Sequence, residues 1–242
     1  MLVKILLPRS HAETRFSFIA ASDFYQAKEA HPLLFAFVLK IMARARVSIK
    51  CQDHFRVATV TGTCGFLVNA YEYILEKYTS PEILYDEKGY QHLVGDRLSD
   101  EERQFLQTKA FTAYDNDSGM TMLRIGSMNL MLHGIQRPRF FYKDTLSKGF
   151  DDERSLDVVL MNPPFKGKMD ESDIHEKLPS KVKKTELLFL HLILRVLEMG
   201  GRCAVIVPDG VLFGSSRAHV ELRKKIIEEN RFDLDVRFVH PP

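Results

Sequence analysis

The sequence has few of the features that mark several protein classes. It contains only three cysteines, Cys51, Cys64 and Cys203, which are widely spaced and form no CxxC pair, so neither a disulfide framework nor a zinc site is implied. No apolar run approaches the roughly 18 residues needed to cross a bilayer, and the apolar part of residues 1–8 is too short for a secretory signal. We therefore expect a cytoplasmic protein, with no membrane partner and no metal site.

A large excess of charge of either sign is also absent. The formal net charge is +2 and the pI is about 8.3, values that do not mark a polyanion-binding protein. Any contact with nucleic acid would need a local basic patch or a partner. With 242 residues, 45% of them hydrophobic, the chain is long enough for one α/β domain with its own core.

The most informative stretch is LDVVLMNPPF at residues 156–165. Its near-continuous apolar run predicts a buried parallel strand that ends in a rigid loop. Asn162 offers an amide oxygen and Pro163 a carbonyl without an N–H, while Pro164 stiffens the loop and Phe165 adds an aromatic face. Such a loop suits a planar group that carries an NH2, such as a nucleobase amine. From this stretch alone, a simple turn after a core strand is an equally good interpretation.

A strand at residues 56–60 is followed by a turn of small residues and a helix at residues 66–75, whose apolar residues have helical spacing. The turn consists of Thr61, Gly62, Thr63, Cys64 and Gly65. This arrangement can bring the backbone close to a nucleotide-like ligand at a helix N-terminus. The alternative is that the turn only allows tight packing of strand against helix.

Carboxylates follow the next two predicted strands. A strand at residues 109–114 ends at Asp115, and one at residues 139–143 ends at Asp144. A carboxylate at the end of the second strand of such a unit can accept hydrogen bonds from ribose hydroxyls, which favours this role for Asp115. Alternatively, Asp115 or Asp117 caps the helix that follows.

Residues 79–108 lie between the helix at residues 66–75 and the strand at residues 109–114, and their composition indicates an excursion over the surface. Residues 99–102 begin a short helix within it. Beyond the LDVVLMNPPF stretch, we expect a helix at residues 187–198 that ends at Gly200 and Gly201, a fifth strand at residues 202–207 and a final helix that ends near Glu229. Strands and helices alternate throughout. This pattern predicts a doubly wound, mostly parallel α/β sheet with ligands at the carboxyl ends of its strands.

Five segments occur in an order that resembles a known family: TCGFLVNA at 63–70, YDND at 114–117, MNLMLHGI at 128–135, DVVLMNPPF at 157–165 and GGRCAVIVPDG at 200–210. Together they resemble the modification (M) subunit of type I restriction-modification systems, the N6-adenine DNA methyltransferases with an NPPF motif. The resemblance covers about residues 56 to 230 and implies a Rossmann-like fold dependent on S-adenosylmethionine. It divides the chain into an unassigned segment, residues 1–55, and a partial catalytic domain, residues 56–242.

The resemblance also implies site residues and partners. Asp115 would bind the ribose of S-adenosylmethionine and Asp144 would lie near its adenine. The rest of the cofactor site would be Gly62, Thr63, Cys64 and Gly65, and the loop that holds the target adenine would be Asn162, Pro163, Pro164 and Phe165. The implied partners are double-stranded DNA with a flipped adenine, a specificity (S) subunit that determines the target sequence, and a restriction (R) subunit.

The chain departs from the family at three places. Residues 58–61 read ATVT, without the carboxylate that the family carries before its glycine turn. Residues 1–55 lack the family's aromatic-Thr-Pro motif and long helical domain, and the sequence diverges again after Asp233, before the family's last strands. We therefore expect a truncated or frame-disrupted member with an incomplete sheet, in which residues 1 to about 60 are out-of-frame translation. Two further alternatives are a non-catalytic remnant or assembly subunit, and a methyltransferase acting on RNA or on protein glutamine.

Overall fold

The computed structural model describes residues 15–20, 55–60, 62–151, 155–164, 167–179, 181–229 and 231–234. Phe165 and Thr61 lie outside the described residues, as does most of the segment 1–55. Within the described ranges, no helix combines the length and the apolar character required to pass through a membrane.

Strands and helices alternate along most of the described chain. The strands are β1 (Arg15–Ala20), β2 (Val57–Val60), β3 (Phe111–Asp115), β4 (Arg139–Tyr142), β5 (Leu156–Met161), β6 (Leu197–Val207) and β7 (Arg231–Leu234). The helices are α1 (Gly65–Lys77), α2 (Pro81–Leu84), α3 (Asp100–Thr108), α4 (Thr121–Leu132), α5 (Thr185–Val196), α6 (Asp209–Phe213) and α7 (Arg217–Glu229).

The seven strands form one sheet in the order β4-β3-β2-β5-β6-β1-β7. Every pairing between them is parallel. After β2, the chain adds β3 and β4 on one side of that strand. It then crosses to the other side of β2, where β5 pairs with it and β6 follows. This confirms the predicted doubly wound parallel sheet.

Strand β5 shows why its sequence is an almost unbroken apolar run. Its side chains alternate between two cores: Val158 and Leu160 pack with α1 and α4 on one face, and Val159 and Met161 pack with α5 and α7 on the other. All four are at most 1% exposed. A strand covered by helices on both faces has no solvent-facing side and therefore no polar alternation.

The strands predicted before residue 162 are confirmed, but the boundary between α5 and β6 differs from the prediction. Helix α5 ends at Val196, and β6 begins at once with Leu197, whose backbone is already extended. The pairing of β5 with β6 then shifts between Leu156 and Val158, and Gly200 adopts a φ of +80°. The two glycines predicted to end the helix therefore form a bulge inside the strand.

Strand β1 lies within residues 1–55, which the sequence left unassigned and which we expected to be out-of-frame translation. It pairs in parallel with β6 from Arg15↔Arg202 to Ala20↔Val207, and with β7 along its other edge. Residues 15–20 thus occupy an interior position in the sheet, between two strands from the far end of the chain.

Helix α4 approaches the sheet closely at Gly126. A Cβ placed there would lie 2.5 Å from Phe140 Cε1 and 2.9 Å from Cys64 Sγ. We expect Gly126→Ala to lower the free energy of unfolding by about 1–3 kcal/mol, because α4 must move or two packed side chains must shift. Urea denaturation monitored by circular dichroism measures the change.

Gly210→Ala is the matched control, since a Cβ at that position meets no atom within 4 Å. In helix α6 alanine is favoured over glycine, so this variant should be as stable as the parent or slightly more stable. An unfolding midpoint for Gly126→Ala equal to that of Gly210→Ala would contradict the packing at α4.

Candidate active site

The parallel sheet brings the predicted site residues to one edge. The carboxyl ends of neighbouring parallel strands lie side by side, about 4.8 Å apart, and the strand order places β4, β3, β2, β5 and β6 in succession. The exits therefore carry, in that order, Asp144, Asp115, residues 62–65, residues 162–164 and residues 208–210. All the predicted site residues that the structure describes lie along this edge.

Residues 62–65, called here the Gly turn, connect β2 to α1 with an unusual backbone. Gly62 has a φ of +95° and Cys64 a φ of +61°, both in the left-handed region. Glycine adopts this conformation readily, whereas for a residue with a Cβ it costs about 1–2 kcal/mol. A Cβ at Gly62 would meet no atom within 4 Å, so the turn borders open space on that side.

Asp115 ties the Gly turn to the end of β3. Its Oδ2 accepts a hydrogen bond from the Gly62 N–H at 3.2 Å, and its Oδ1 accepts one from the Asp117 N–H at 2.7 Å. The side chain is only 5% exposed. Each carboxylate oxygen can accept a further hydrogen bond, so the group can hold the loop and still bind a hydroxyl.

Asp117, rather than Asp115, caps α4. Its Oδ2 accepts hydrogen bonds from the Thr121 N–H at 3.0 Å and the Met122 N–H at 3.4 Å. Of the two roles weighed from the sequence, capping of the helix N-terminus therefore belongs to Asp117. Asp115 binds the Gly turn instead, and its role toward a ribose stays a prediction.

Asp144 follows β4, two strand positions from the Gly turn. Its Oδ1 accepts a hydrogen bond from the Leu146 N–H at 2.9 Å, and its carbonyl accepts one from Ser147 Oγ at 2.8 Å. The side chain is partly exposed and local bonds fix its position. The Gly turn, Asp115 and Asp144 therefore line consecutive strand exits, which suits an elongated ligand.

The loop after β5 begins with a half-buried Asn162, a buried Pro163 and an exposed Pro164. The side-chain oxygen of Asn162 is shielded from solvent. The chain returns toward this loop at the start of α5, where the Thr185 N–H donates to the Gly167 carbonyl at 3.2 Å. Residues 168 and 184 form an antiparallel bridge, so the intervening loop is closed at its base beside the strand exit.

The end of β2 differs chemically from the exits of β3 and β4. Ala58, Thr59 and Val60 are buried, at 2%, 1% and 7% exposure, and none carries charge. Carboxylates at this edge follow other strands: Asp115, Asp117 and Asp144 follow β3 and β4, and Asp209 follows β6.

Two asparagines without a predicted role also bind the Gly turn. Asn129 Nδ2, on α4, donates to the Thr63 carbonyl at 2.7 Å, and Asn69 Nδ2, on α1, donates to the Gly65 carbonyl at 2.7 Å. Asn69 is buried. A polar side chain among apolar helix residues was the available signal, but the sequence does not show which backbone atom it contacts.

Comparison with known proteins covers most of the chain. The sequence model of the N-6 DNA Methylase family matches residues 57–239. The methylase subunit of the Escherichia coli type I restriction enzyme EcoEI is 29% identical over 180 residues, which are 73% of this chain and 32% of that protein. The StySPI methylase subunit of Salmonella potsdam is 27% identical over 173 residues, 69% and 29% of the two chains. The chain thus spans about a third of the length of these relatives.

Solved structures agree with this match. A chain from a structure of complex assembly and conformational transition in the type I R-M system superposes with a TM-score of 0.58 at 27% identity, covering 83% of this chain and 37% of that one. The type I methyltransferase subunit from Streptococcus thermophilus gives a TM-score of 0.54 at 21% identity, covering 85% and 39%. At this lower identity the second match supports the fold alone.

The environment of Cys64 predicts an unreactive thiol. The side chain is 3% exposed, and its burial, together with the negative charge of Asp115, raises the pKa of the thiol to about 12. Because the thiolate is the reactive form, we expect iodoacetamide at pH 8 to leave Cys64 unmodified in the folded protein. In urea, labelling should reach the rate of an ordinary cysteine. Peptide mass spectrometry resolves Cys64 from the other two cysteines, and fast labelling of the folded protein would contradict the described Gly turn.

Proposed function

This chain belongs to the N-6 DNA methylase family, and we propose that it carries a site that transfers the methyl group of S-adenosylmethionine to N6 of adenine in DNA. The observation that supports this most is the adjacency of two loops. Strand β5 pairs directly with β2, so the exit at residues 162–164 lies beside the Gly turn. An acceptor-rich loop for a base amine and a turn suited to a nucleotide-like cofactor are then neighbours.

The residues at the edge fit S-adenosylmethionine. The Gly turn borders open space at Gly62, Asp115 has acceptor capacity for ribose hydroxyls, and Asp144 lies one strand further, where the cofactor's adenine would be. The acids at the β3 and β4 exits also complement a positively charged ligand. When bound, the cofactor supplies an electrophilic methyl group on its sulfonium.

Asn162 and Pro163 would act on the target amine. The lone pair of an exocyclic adenine nitrogen is delocalised into the ring, which makes it a weak nucleophile. Acceptance of its two hydrogens by Asn162 Oδ1 and the Pro163 carbonyl favours a pyramidal nitrogen with a more available lone pair. Transfer would join the methyl group to this nitrogen as its bond to the sulfonium sulfur breaks, and the nitrogen would then lose one proton to solvent. Such a transfer needs positioning and electrostatic stabilisation of the developing charge.

The adenine must leave the base stack to reach this loop, because its amine is inaccessible in the duplex. The matched relatives are named as methylase subunits of type I restriction enzymes. We therefore assign DNA, a specificity subunit and a restriction subunit as partners, with the target sequence determined by the specificity subunit. A cytoplasmic location follows from that role.

One observation favours a second candidate, an assembly subunit that keeps the fold but does not bind the cofactor tightly. The buried residues 58–60 provide no carboxylate for the ammonium group of the methionine moiety. Isothermal titration calorimetry with S-adenosylmethionine separates the candidates, since the assembly subunit would release no binding heat at cofactor concentrations up to the millimolar range.

Asn162→Ala tests the proposed reaction. We expect methyl transfer to fall by at least about 100-fold, since a positioned polar group in the transition state typically contributes that much. The affinity for S-adenosylmethionine should change little, because Asn162 lies on the base-binding loop. Transfer is measured as incorporation of tritiated methyl into DNA by the chain assembled with its specificity subunit, and affinity by calorimetry.

Asn162→Asp is the matched variant, because it keeps an acceptor of the same size. It should retain more transfer than Asn162→Ala. A parallel loss of cofactor affinity and rate in Asn162→Ala would reject the assignment of Asn162 to the base.

A further inference from the structure

The segment MNLMLHGI, residues 128–135, runs from the C-terminal part of helix α4 into the loop that follows, and the proposed chemistry does not use it. From this segment, Asn129 Nδ2 donates to the Thr63 carbonyl at 2.7 Å, linking residues 66 positions apart in the sequence. We infer that Asn129 is a positioning residue that holds the Thr63–Cys64 peptide of the Gly turn in the orientation required to bind the cofactor. This inference rests on the proposed function, which assigns the Gly turn to S-adenosylmethionine.

The geometry of the peptide unit explains the effect. The described residues contain no cis peptide bond, so the Thr63 carbonyl and the Cys64 N–H point in opposite directions across a planar unit. Fixing the carbonyl toward Asn129 directs the Cys64 N–H away from α4. No backbone hydrogen bond among the described residues has this N–H as its donor. Its direction therefore determines whether it can bind a ligand oxygen.

The Gly turn requires such external support because its backbone is unfavourable. Cys64 has a left-handed φ of +61°, at a cost of about 1–2 kcal/mol. Contacts from two other elements oppose that cost: Asp115 of β3 accepts from the Gly62 N–H, and Asn129 of α4 donates to the Thr63 carbonyl. Within α1, Asn69 also donates to the Gly65 carbonyl. Asn129 binds the residue that immediately precedes the strained position.

The packing of α4 is consistent with this role. Gly126 lies one turn before Asn129, on the same side of the helix, and the absence of a side chain there lets α4 approach Cys64. At the end of α4, the backbone carbonyl of Asn129 accepts the His133 N–H at 3.2 Å and bonds His133 Nδ1 at 2.8 Å. The side-chain amide of Asn129 takes no part in these two bonds and contacts the Gly turn instead.

Three variants of the full chain test the inference: Asn129→Ala, Asn129→Asp and the control Ser127→Ala on the same helix. Asn129→Asp keeps the shape of the side chain but cannot donate a hydrogen bond when ionised. We expect both Asn129 variants to bind S-adenosylmethionine about 5- to 10-fold more weakly by calorimetry, corresponding to one lost hydrogen bond. Ser127→Ala should bind within twofold of the parent. Parent-like binding by either Asn129 variant would overturn the inference.

Amide hydrogen exchange measured without cofactor separates this inference from the proposed function. We expect the amides of the Gly turn to exchange about 5- to 10-fold faster in Asn129→Ala than in Ser127→Ala. If the parent binds no S-adenosylmethionine, the proposed function fails. In that case, faster exchange still supports Asn129 as the residue that orients the turn, and unchanged exchange refutes it.

Discussion

The site depends above all on the parallel pairing of β2 with β3 on one side and β5 on the other. The registers Val60↔Tyr114 and Ala58↔Val159 fix how far each strand extends toward the common edge. Because Asp115 is the residue immediately after Tyr114, its carboxylate arrives level with the Gly turn and can accept the Gly62 N–H. A shift of one residue in either pairing would turn these side chains to the other face of the sheet. The backbone ladder thus sets the relative positions of the cofactor and base-binding loops.

This arrangement changes how the missing carboxylate at the end of β2 is interpreted. The resemblance implies an acid there, but in this chain Ala58, Thr59 and Val60 are buried and neutral. Asp115, Asp117 and Asp144 lie at the exits of β3 and β4, and Asp209 follows β6. One of these, Asp117, is largely occupied by the N-terminus of α4. Asp115 and Asp144 remain for a cationic ligand on the side of the Gly turn away from β5.

Features encoded locally could be predicted from the sequence. The apolar run of β5 is legible because both of its faces are buried, and residues 99–102 indicate the start of α3 because Ser99 and Glu102 form a reciprocal capping box. The grouping of site residues at one edge follows from the alternation of strands and helices. Assignment of the capping role to Asp117 required coordinates, since Asp115 is an equally suitable residue by type.

Features set by long-range contacts could not be predicted. The early start of β6 depends on its register with β5. That register places a bulge at Gly200, whereas a glycine at this position, read from the sequence alone, predicts the end of the preceding helix. The contact of Asn129 with Thr63 depends on how α4 packs against α1. Strand β1 is six residues long and has no distinctive pattern of its own, so only its two neighbouring strands identify it.

The position of β1 has a consequence for the synthesis of the protein. A ribosome would release β1 (residues 15–20) before β2 to β5, yet both of its partners in the sheet, β6 and β7, begin only at residues 197 and 231. Closing so long a loop carries an entropic cost that must be met before the pairing stabilises anything. Strands β2 to β5 can associate during translation, whereas β1 must stay unpaired until β6 and β7 have been made. Its insertion between β6 and β7 is therefore expected to be a late step in folding, and the one most exposed to aggregation.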